Sequence, residues 1–165
     1  MAVIIILSGN KQYLLTLPKF SKSNMATLIH AIAIATEAHK TQKDKAGMPY
    51  LTHVLRVMEK GQTETEKICG VLHDLVEDTN WTFEDLEKEG FSTEILRILN
   101  SLTHQKNESY TDYIDRVVQN PVAIRIKIND LIDNMDIRRL NEIEEKDVIR
   151  LRKYLKTYQR LVQLL

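Results

Sequence analysis

Most features that would tie this chain to a membrane, an oxidising compartment or a polyanion are scarce in its sequence. A single cysteine, Cys69, cannot close an internal disulfide. Set in an apolar run, it reads as a small packed residue of a reducing cytoplasm. Three prolines and five glycines, with no low-complexity tract or internal repeat, leave little material for long linkers, so 165 residues are expected to form one domain. Lys plus Arg equals Asp plus Glu at 23 each, and the net charge of zero removes the global field on which nucleic-acid or membrane-surface binding would rest. Neither partner is therefore expected, and any anion must be held by a local basic cluster. The segment 2–7 is apolar but short and has no basic region before it, so it is expected to be neither a signal peptide nor a membrane span. A cytoplasmic location is the resulting expectation.

What is present is helical periodicity. Residues 3–7 and 13–17 are β-prone and separated by Ser8-Gly9-Asn10, which predicts a short hairpin closed by Pro18. From Asn24, a candidate N-cap, Met25, Leu28, Ile32 and Ala35 share a helical face running to about Gln42. A loop over 43–49 follows, punctuated by Gly47 and Pro49. Helices are predicted over 50–60 and over 63–78, the latter with Thr63 and Glu66 spaced as a capping box. Shorter helices follow Thr82, Ser92 and Ser109. Asn120-Pro121 is a cap and first-turn pair for a helix carrying Asp130. There Val122, Ile124, Ile126 and Ile128 alternate as a strand would, yet the run continues through Arg138 with no strand partner, so it is read as a buried helix. The last helix, over about 144–164, places Val148, Leu151, Leu155, Tyr158 and Val162 in a packing stripe. The expected fold is an all-α helical bundle over 25–165, with residues 1–24 as an amino-terminal extension carrying the hairpin.

Three segments concentrate metal-binding and acid–base side chains: Pro49-Tyr50-Leu51-Thr52-His53, His73-Asp74-Leu75-Val76-Glu77-Asp78 and Lys127-Ile128-Asn129-Asp130. On one continuous helix His73 and Glu77 would share a face, as would Asp74 and Asp78. His53, His73, Asp74 and Asp130 supply two nitrogens and two oxygens. That set suits Mn²⁺, Fe²⁺ or Zn²⁺ better than the oxygen-preferring Mg²⁺ or Ca²⁺. Glu77 and Asp78 would then orient or deprotonate water and handle the leaving group. His30, His39 and His104 carry no such pattern and are expected to be ordinary buried or solvent-facing histidines.

The order of a His, then His-Asp, then a distant Asp resembles the HD-domain metal-dependent phosphohydrolases. Residues 38–42 and 45–53, 72–79 and 126–135 are similar, motif by motif, to the alarmone hydrolases, both the stand-alone small enzymes and the hydrolase half of bifunctional Rel/Spo enzymes. The resemblance implies an all-α fold with one Mn²⁺ on His53, His73, Asp74 and Asp130, and Glu77 and Asp78 as the catalytic pair. It implies Lys45 near the nucleotide's phosphates and Asn134 in contact with the nucleotide. The implied activity is removal of the 3′-pyrophosphate from guanosine tetra- or pentaphosphate. Lys43, Tyr110 and Arg116 are added as candidate substrate-binding residues, with Tyr110, Tyr113 and Arg116 on one predicted helix face. Asp44 departs from the pattern. The alarmone hydrolases usually carry an Arg there that packs against guanine; a carboxylate cannot stack as a guanidinium does and would repel phosphate, which predicts weak guanine selectivity. Nothing resembles the synthetase half. Two other readings keep the fold: a phosphatase or phosphodiesterase acting on another phosphorylated nucleotide such as NADPH, and a non-catalytic nucleotide-binding module.

Overall fold

The computed structural model describes residues 3–8, 11–16 and 26–165. Strands β1 (Val3–Ser8) and β2 (Lys11–Thr16) pair antiparallel, with Val3 opposite Thr16 and Ser8 opposite Lys11. The remainder is helical: α1 (Leu28–Ala38), α2 (Leu51–Glu59), α3 (Glu64–Leu72), α4 (Leu75–Asp78), α5 (Phe83–Lys88), α6 (Thr93–Leu102), α7 (Tyr110–Val117), α8 (Pro121–Asn134) and α9 (Glu145–Val162), with a 3₁₀ turn at Ile137–Arg139.

Local chemistry sets most of these boundaries. Helix α1 is capped by Thr27, whose hydroxyl accepts from the His30 N–H at 3.3 Å, three residues beyond the expected Asn24, which lies outside the described residues. Thr63, Thr82, Ser92 and Ser109 cap α3, α5, α6 and α7 in the same way, each satisfying an amide the first turn leaves free. Asn120 caps α8 with Pro121 in its first turn, so the alternating isoleucines belong to a helix. They are buried because α8 is enclosed on several sides, packing against α2, α3, α6, α7 and α9.

Two expectations are corrected. The helix predicted over 63–78 is interrupted: His73 is the C-cap of α3, and Asp74, at φ −100° and ψ 1°, precedes α4. The predicted stripe on α9 holds only in part: Val148, Leu151 and Tyr158 are half-buried, but Leu155 and Val162 are exposed, and Asp147, Thr157 and Leu161 are the buried positions where α9 packs chiefly against α8.

Helices α2 and α3 approach closely at Gly70, where an added Cβ would sit 3.1 Å from the Met58 Cα. That approach, with Val54, Val57, Val71 and Leu72 packed around it, brings His53 of α2 and His73 at the end of α3 to the face of α8 that carries Asp130.

Candidate active site

Each of the two site histidines has one ring nitrogen committed to the protein. His73 Nδ1 donates to the Gly70 carbonyl at 2.8 Å, and His53 Nδ1 donates to Asp133 Oδ2 at 2.7 Å. A carbonyl only accepts, so Nδ1 of His73 keeps its proton, and it is Nε2 that offers a lone pair once the ring is neutral. Both Nε2 atoms are buried and make no hydrogen bond of normal geometry among the described residues. They face carboxylate oxygens instead. Asp74 Oδ2 lies 3.0 Å from His73 Nε2 and 3.6 Å from His53 Nε2. Asp130 Oδ1 lies 3.3 Å from His53 Nε2 and 3.6 Å from His73 Nε2. Atoms bonded to one ion at about 2.0–2.2 Å stand roughly 3.0–3.6 Å apart at bond angles of about 90–110°. The donor set therefore has the spacing of ligands around a common centre. His53, His73 and Asp130 form a cluster with ligand atoms within 4.8 Å of one another, and Asp74 stands beside it.

The interruption between α3 and α4 explains how neighbours His73 and Asp74 serve one centre. In a continuous helix adjacent side chains diverge by about 100°; the turn at residues 73–74 lets both face inward. Burial opposes charge on His53, but its contacts with Asp130, Asp133 and Asp74 outweigh that and lift its proton affinity to about 11. The same opposition lifts His73 to about 9. Asp74 and Asp130 are held well below the usual carboxylate range, against burial, by the histidines and, for Asp130, first by Lys127. The cluster is thus a compact set of opposed charges, which a cation can reorganise by replacing the imidazole protons.

Around it runs a cavity of about 500 Å³, a size suited to a small organic ligand. Glu77 and Asp78 lie on its wall. Burial raises the proton affinity of both, and the charge of Asp74 adds to it. Glu77 Oε2 accepts from the His104 N–H at 2.8 Å. The lining also carries the basic residues Lys43, Lys45, Arg139, Arg150 and Lys153. Lys45 is pushed down by burial and by Arg150, and Lys153 by burial and by Lys127.

Of the residues singled out from sequence, Lys43, Lys45, Asn134 and Tyr110 line this cavity. Asn134 also donates to Asp130 Oδ1 at 2.5 Å. Arg116 does not line it. Its guanidinium is spent on both oxygens of Glu108 and on the Asn100 and Thr103 carbonyls, where it ties the α6–α7 connection together. The expectation that Asp44 turns a free charge on the phosphate is corrected. Its Oδ1 accepts from the Ala46 and Met48 amides at 2.9 Å each, closing the 43–49 loop, and its Oδ2 takes Arg139 Nη1 at 2.7 Å. Its charge is thereby paired rather than turned on a ligand. Cys69 is buried in the core, and burial pushes its thiol up, out of the reactive range.

Sequence reasoning passed over three groups. Tyr50 donates its hydroxyl to Asp74 Oδ2 at 2.5 Å. Asp133, gripped by Arg56 at 2.6 Å, orients His53. Arg139 pairs with Asp44 across 95 residues of sequence. The position of Asp133, three residues after Asp130, offered a weak signal; its partners, 77 and 80 residues away, offered none.

Comparison with known proteins places this geometry among relatives. No family model matches the chain. It is 31% identical over 117 residues to the guanosine-3′,5′-bis(diphosphate) 3′-pyrophosphohydrolase of Aquifex aeolicus, covering 64% of this chain and 17% of that protein. It is 29% identical over 143 residues to a GTP pyrophosphokinase of Streptomyces coelicolor, again covering 17% of the latter and 79% of this chain. With the guanosine-3′,5′-bis(diphosphate) 3′-pyrophosphohydrolase MESH1 of Danio rerio it shares 39% identity over 93 residues, about half of each protein (52% and 51%). The chain thus spans about a sixth of the two bacterial relatives and about half of the animal one. The fold matches a solved structure described as a metazoan ortholog of SpoT that hydrolyzes ppGpp, with a TM-score of 0.70, 23% identity and coverage of 86% and 88% of the two chains. No helix among the described residues is long and apolar enough to cross a membrane.

Proposed function

Since the chain is an HD-domain relative of the guanosine-3′,5′-bis(diphosphate) 3′-pyrophosphohydrolases, we propose that it is a metal-dependent phosphohydrolase that removes the 3′-pyrophosphate from guanosine tetra- or pentaphosphate. One observation carries the reading. Two buried imidazole Nε2 atoms, without hydrogen-bond partners among the described residues, face the Asp74 and Asp130 carboxylates at 3.0–3.6 Å, and His53, Asp74 and Asp130 line the cavity. His53, His73, Asp74 and Asp130 are the residues that would hold the ion, and two nitrogens with two oxygens favour Mn²⁺ over Mg²⁺ or Ca²⁺.

When bound, such an ion stabilises charge developing on the phosphoryl group and acidifies nearby water. The chain's own residues do the rest. Lys45 and Lys153, which form no salt bridge among the described residues, and Lys43, which lines the same cavity, attract the phosphates. Glu77 and Asp78, both with raised proton affinity in the cavity lining, take the proton from the attacking water and return one to the leaving oxygen. Tyr50 and Lys127 keep the Asp74 and Asp130 carboxylates aimed inward while leaving them ionised.

The test is to load purified protein with Mn²⁺ and offer a panel of phosphorylated nucleotides, including guanosine tetraphosphate and NADPH, while separating pyrophosphate from orthophosphate as products. Pyrophosphate from guanosine tetraphosphate is expected. Glu77→Gln should retain metal and fold while kcat falls by a factor on the order of 10²–10⁴. Orthophosphate from another nucleotide, with guanosine tetraphosphate untouched, would replace the substrate assignment. Unchanged turnover in the metal-loaded variant would remove Glu77 from the mechanism.

A further inference from the structure

The pairing of Asp44 with Arg139 decides more than the charge of the loop. The geometry points to Arg139 as the residue on which the nucleobase stacks, with Asp44 and Asp133 as positioning residues that fix its plane. The inference rests on the proposal that a nucleotide occupies the cavity, and it goes beyond that proposal by naming what holds the base.

Arg139 lines the cavity next to Asp44, Lys45 and Leu140, in the 3₁₀ turn beyond α8. Its hydrogen-bonding edges are already committed. Nη1 donates to Asp44 Oδ2 at 2.7 Å, and Nη2 donates to the Asp133 carbonyl at 2.8 Å. Nη2 also lies 3.4 Å from Asp133 Oδ2, and Nε is buried without a partner among the described residues. An arginine recognises a phosphate by offering two parallel N–H groups, and those groups are occupied here. The Asp44 charge cancels that of the guanidinium as well. The phosphates therefore fall to Lys43, Lys45 and Lys153, and what Arg139 has left to offer is its flat face. Its side chain is 25% exposed, against 86% for Arg138, which pairs with Asp136 but does not itself line the cavity. A planar, weakly hydrated cation clamped at both ends is a platform for a planar ring. The clamp also ties that platform to the metal end, because Asp133, which receives Arg139, is the residue that orients His53.

Two ligands that are not substrates separate base from phosphate: guanosine 5′-diphosphate, and inorganic pyrophosphate, which has no base. Calorimetric titration of Mn²⁺-loaded protein should show Arg139→Lys, which keeps the charge and loses the plane, weakening the guanosine diphosphate complex by roughly 5- to 30-fold. Pyrophosphate affinity should stay within about twofold. Asp44→Asn, which releases one edge of the guanidinium, should move affinity in the same direction by less. In the wild type, guanosine and adenosine diphosphates should bind more tightly than uridine diphosphate, because a larger ring covers more of the platform. This last measurement needs no variant and stands even if the substitutions weaken folding. Equal loss of both ligands in Arg139→Lys would make Arg139 a phosphate residue and overturn the inference. So would unchanged guanosine diphosphate binding, or indifference of the wild type to the base. Failure of the wild type to bind any nucleoside diphosphate would instead remove the nucleotide reading itself.

Discussion

A histidine can serve a metal centre only if its other nitrogen is held, and here the two rings are held by different means. His73 leans on a carbonyl of its own helix, whereas His53 depends on a side chain, the Asp133 carboxylate, which Arg56 grips through both oxygens at 2.6 and 3.0 Å. Orienting carboxylates of this kind typically contribute 10- to 100-fold to metal affinity. Asp133→Ala is therefore expected to lower Mn²⁺ affinity by roughly that factor while the far-ultraviolet circular dichroism stays that of a helical protein. Undiminished affinity in a competition titration would show that His53 is oriented by packing alone. The ligand candidates were legible in the sequence because each sits in a short motif with a chemical signature. Asp133, Tyr50 and Arg139 were not, since each draws its meaning from a partner far away in sequence. Asp44 shows the cost most plainly. Read in isolation it was an unpaired anion facing phosphate, and only the fold supplies the Arg139 that pairs with it.

At the level of elements, the meeting of α2 and α3 carries the site's geometry. Glycine was read from the sequence as punctuation, so its use at position 70, inside a helix, went unread. Gly70→Ala would place a methyl group 3.1 Å from the Met58 Cα and 3.3 Å from its nitrogen, backbone atoms with no rotamer to yield. The expected cost is about 1–3 kcal/mol in chemical denaturation. It should come with weaker Mn²⁺ binding, because His53 and His73 move apart with their helices. Full stability together with unaltered metal binding would show that the helix pair has slack.

The start of α3 holds a second device. The Thr63–Glu66 spacing predicted a capping box, and the hydroxyl half is present: Thr63 Oγ1 accepts from the Glu66 N–H at 3.1 Å. The carboxylate reaches one residue further back, to the Gln62 N–H at 2.7 Å, and pairs with Arg125 of α8 at 2.7 Å. Burial alone would raise the Glu66 pKa, but these bonds outweigh it and hold the group below its ordinary value. A depressed carboxylate contributes stability above the unfolded-state pKa, about 4.3, and loses it as pH falls through the folded value. Glu66→Gln should thus be less stable than wild type by roughly 1–2 kcal/mol at pH 7. The gap should narrow as the pH is lowered from 5 to 3, as read from urea midpoints. A gap independent of pH would assign the loss to packing rather than to charge.

Taken whole, the molecule draws its four candidate ligands from three separate places: α2, the α3–α4 turn and α8. Periodicity and capping made these helices legible with little error. The bend between α3 and α4 was not legible, because residues 71–78 contain no Gly or Pro and read as one helix. The Nδ1 bond of His73 to Gly70 and the inward turn of Asp74 mark the break, and neither leaves a trace in residue type. An ion bound at this junction would cross-link the bundle, so metal should stabilise the whole domain. At a free Mn²⁺ concentration 100 times the dissociation constant, mass action adds about 2.7 kcal/mol. For a domain of this size that corresponds to a rise in Tm of roughly 5–11 °C. Ca²⁺, which seeks six to eight oxygens and finds two nitrogens here, should raise it much less at equal concentration. His73→Ala and Asp130→Ala should lose the Mn²⁺-dependent shift, and elemental analysis should find them stripped of metal. A Tm that ignores Mn²⁺ in the wild type, or a shift that survives both substitutions, would mean that the ion is held somewhere other than between these helices.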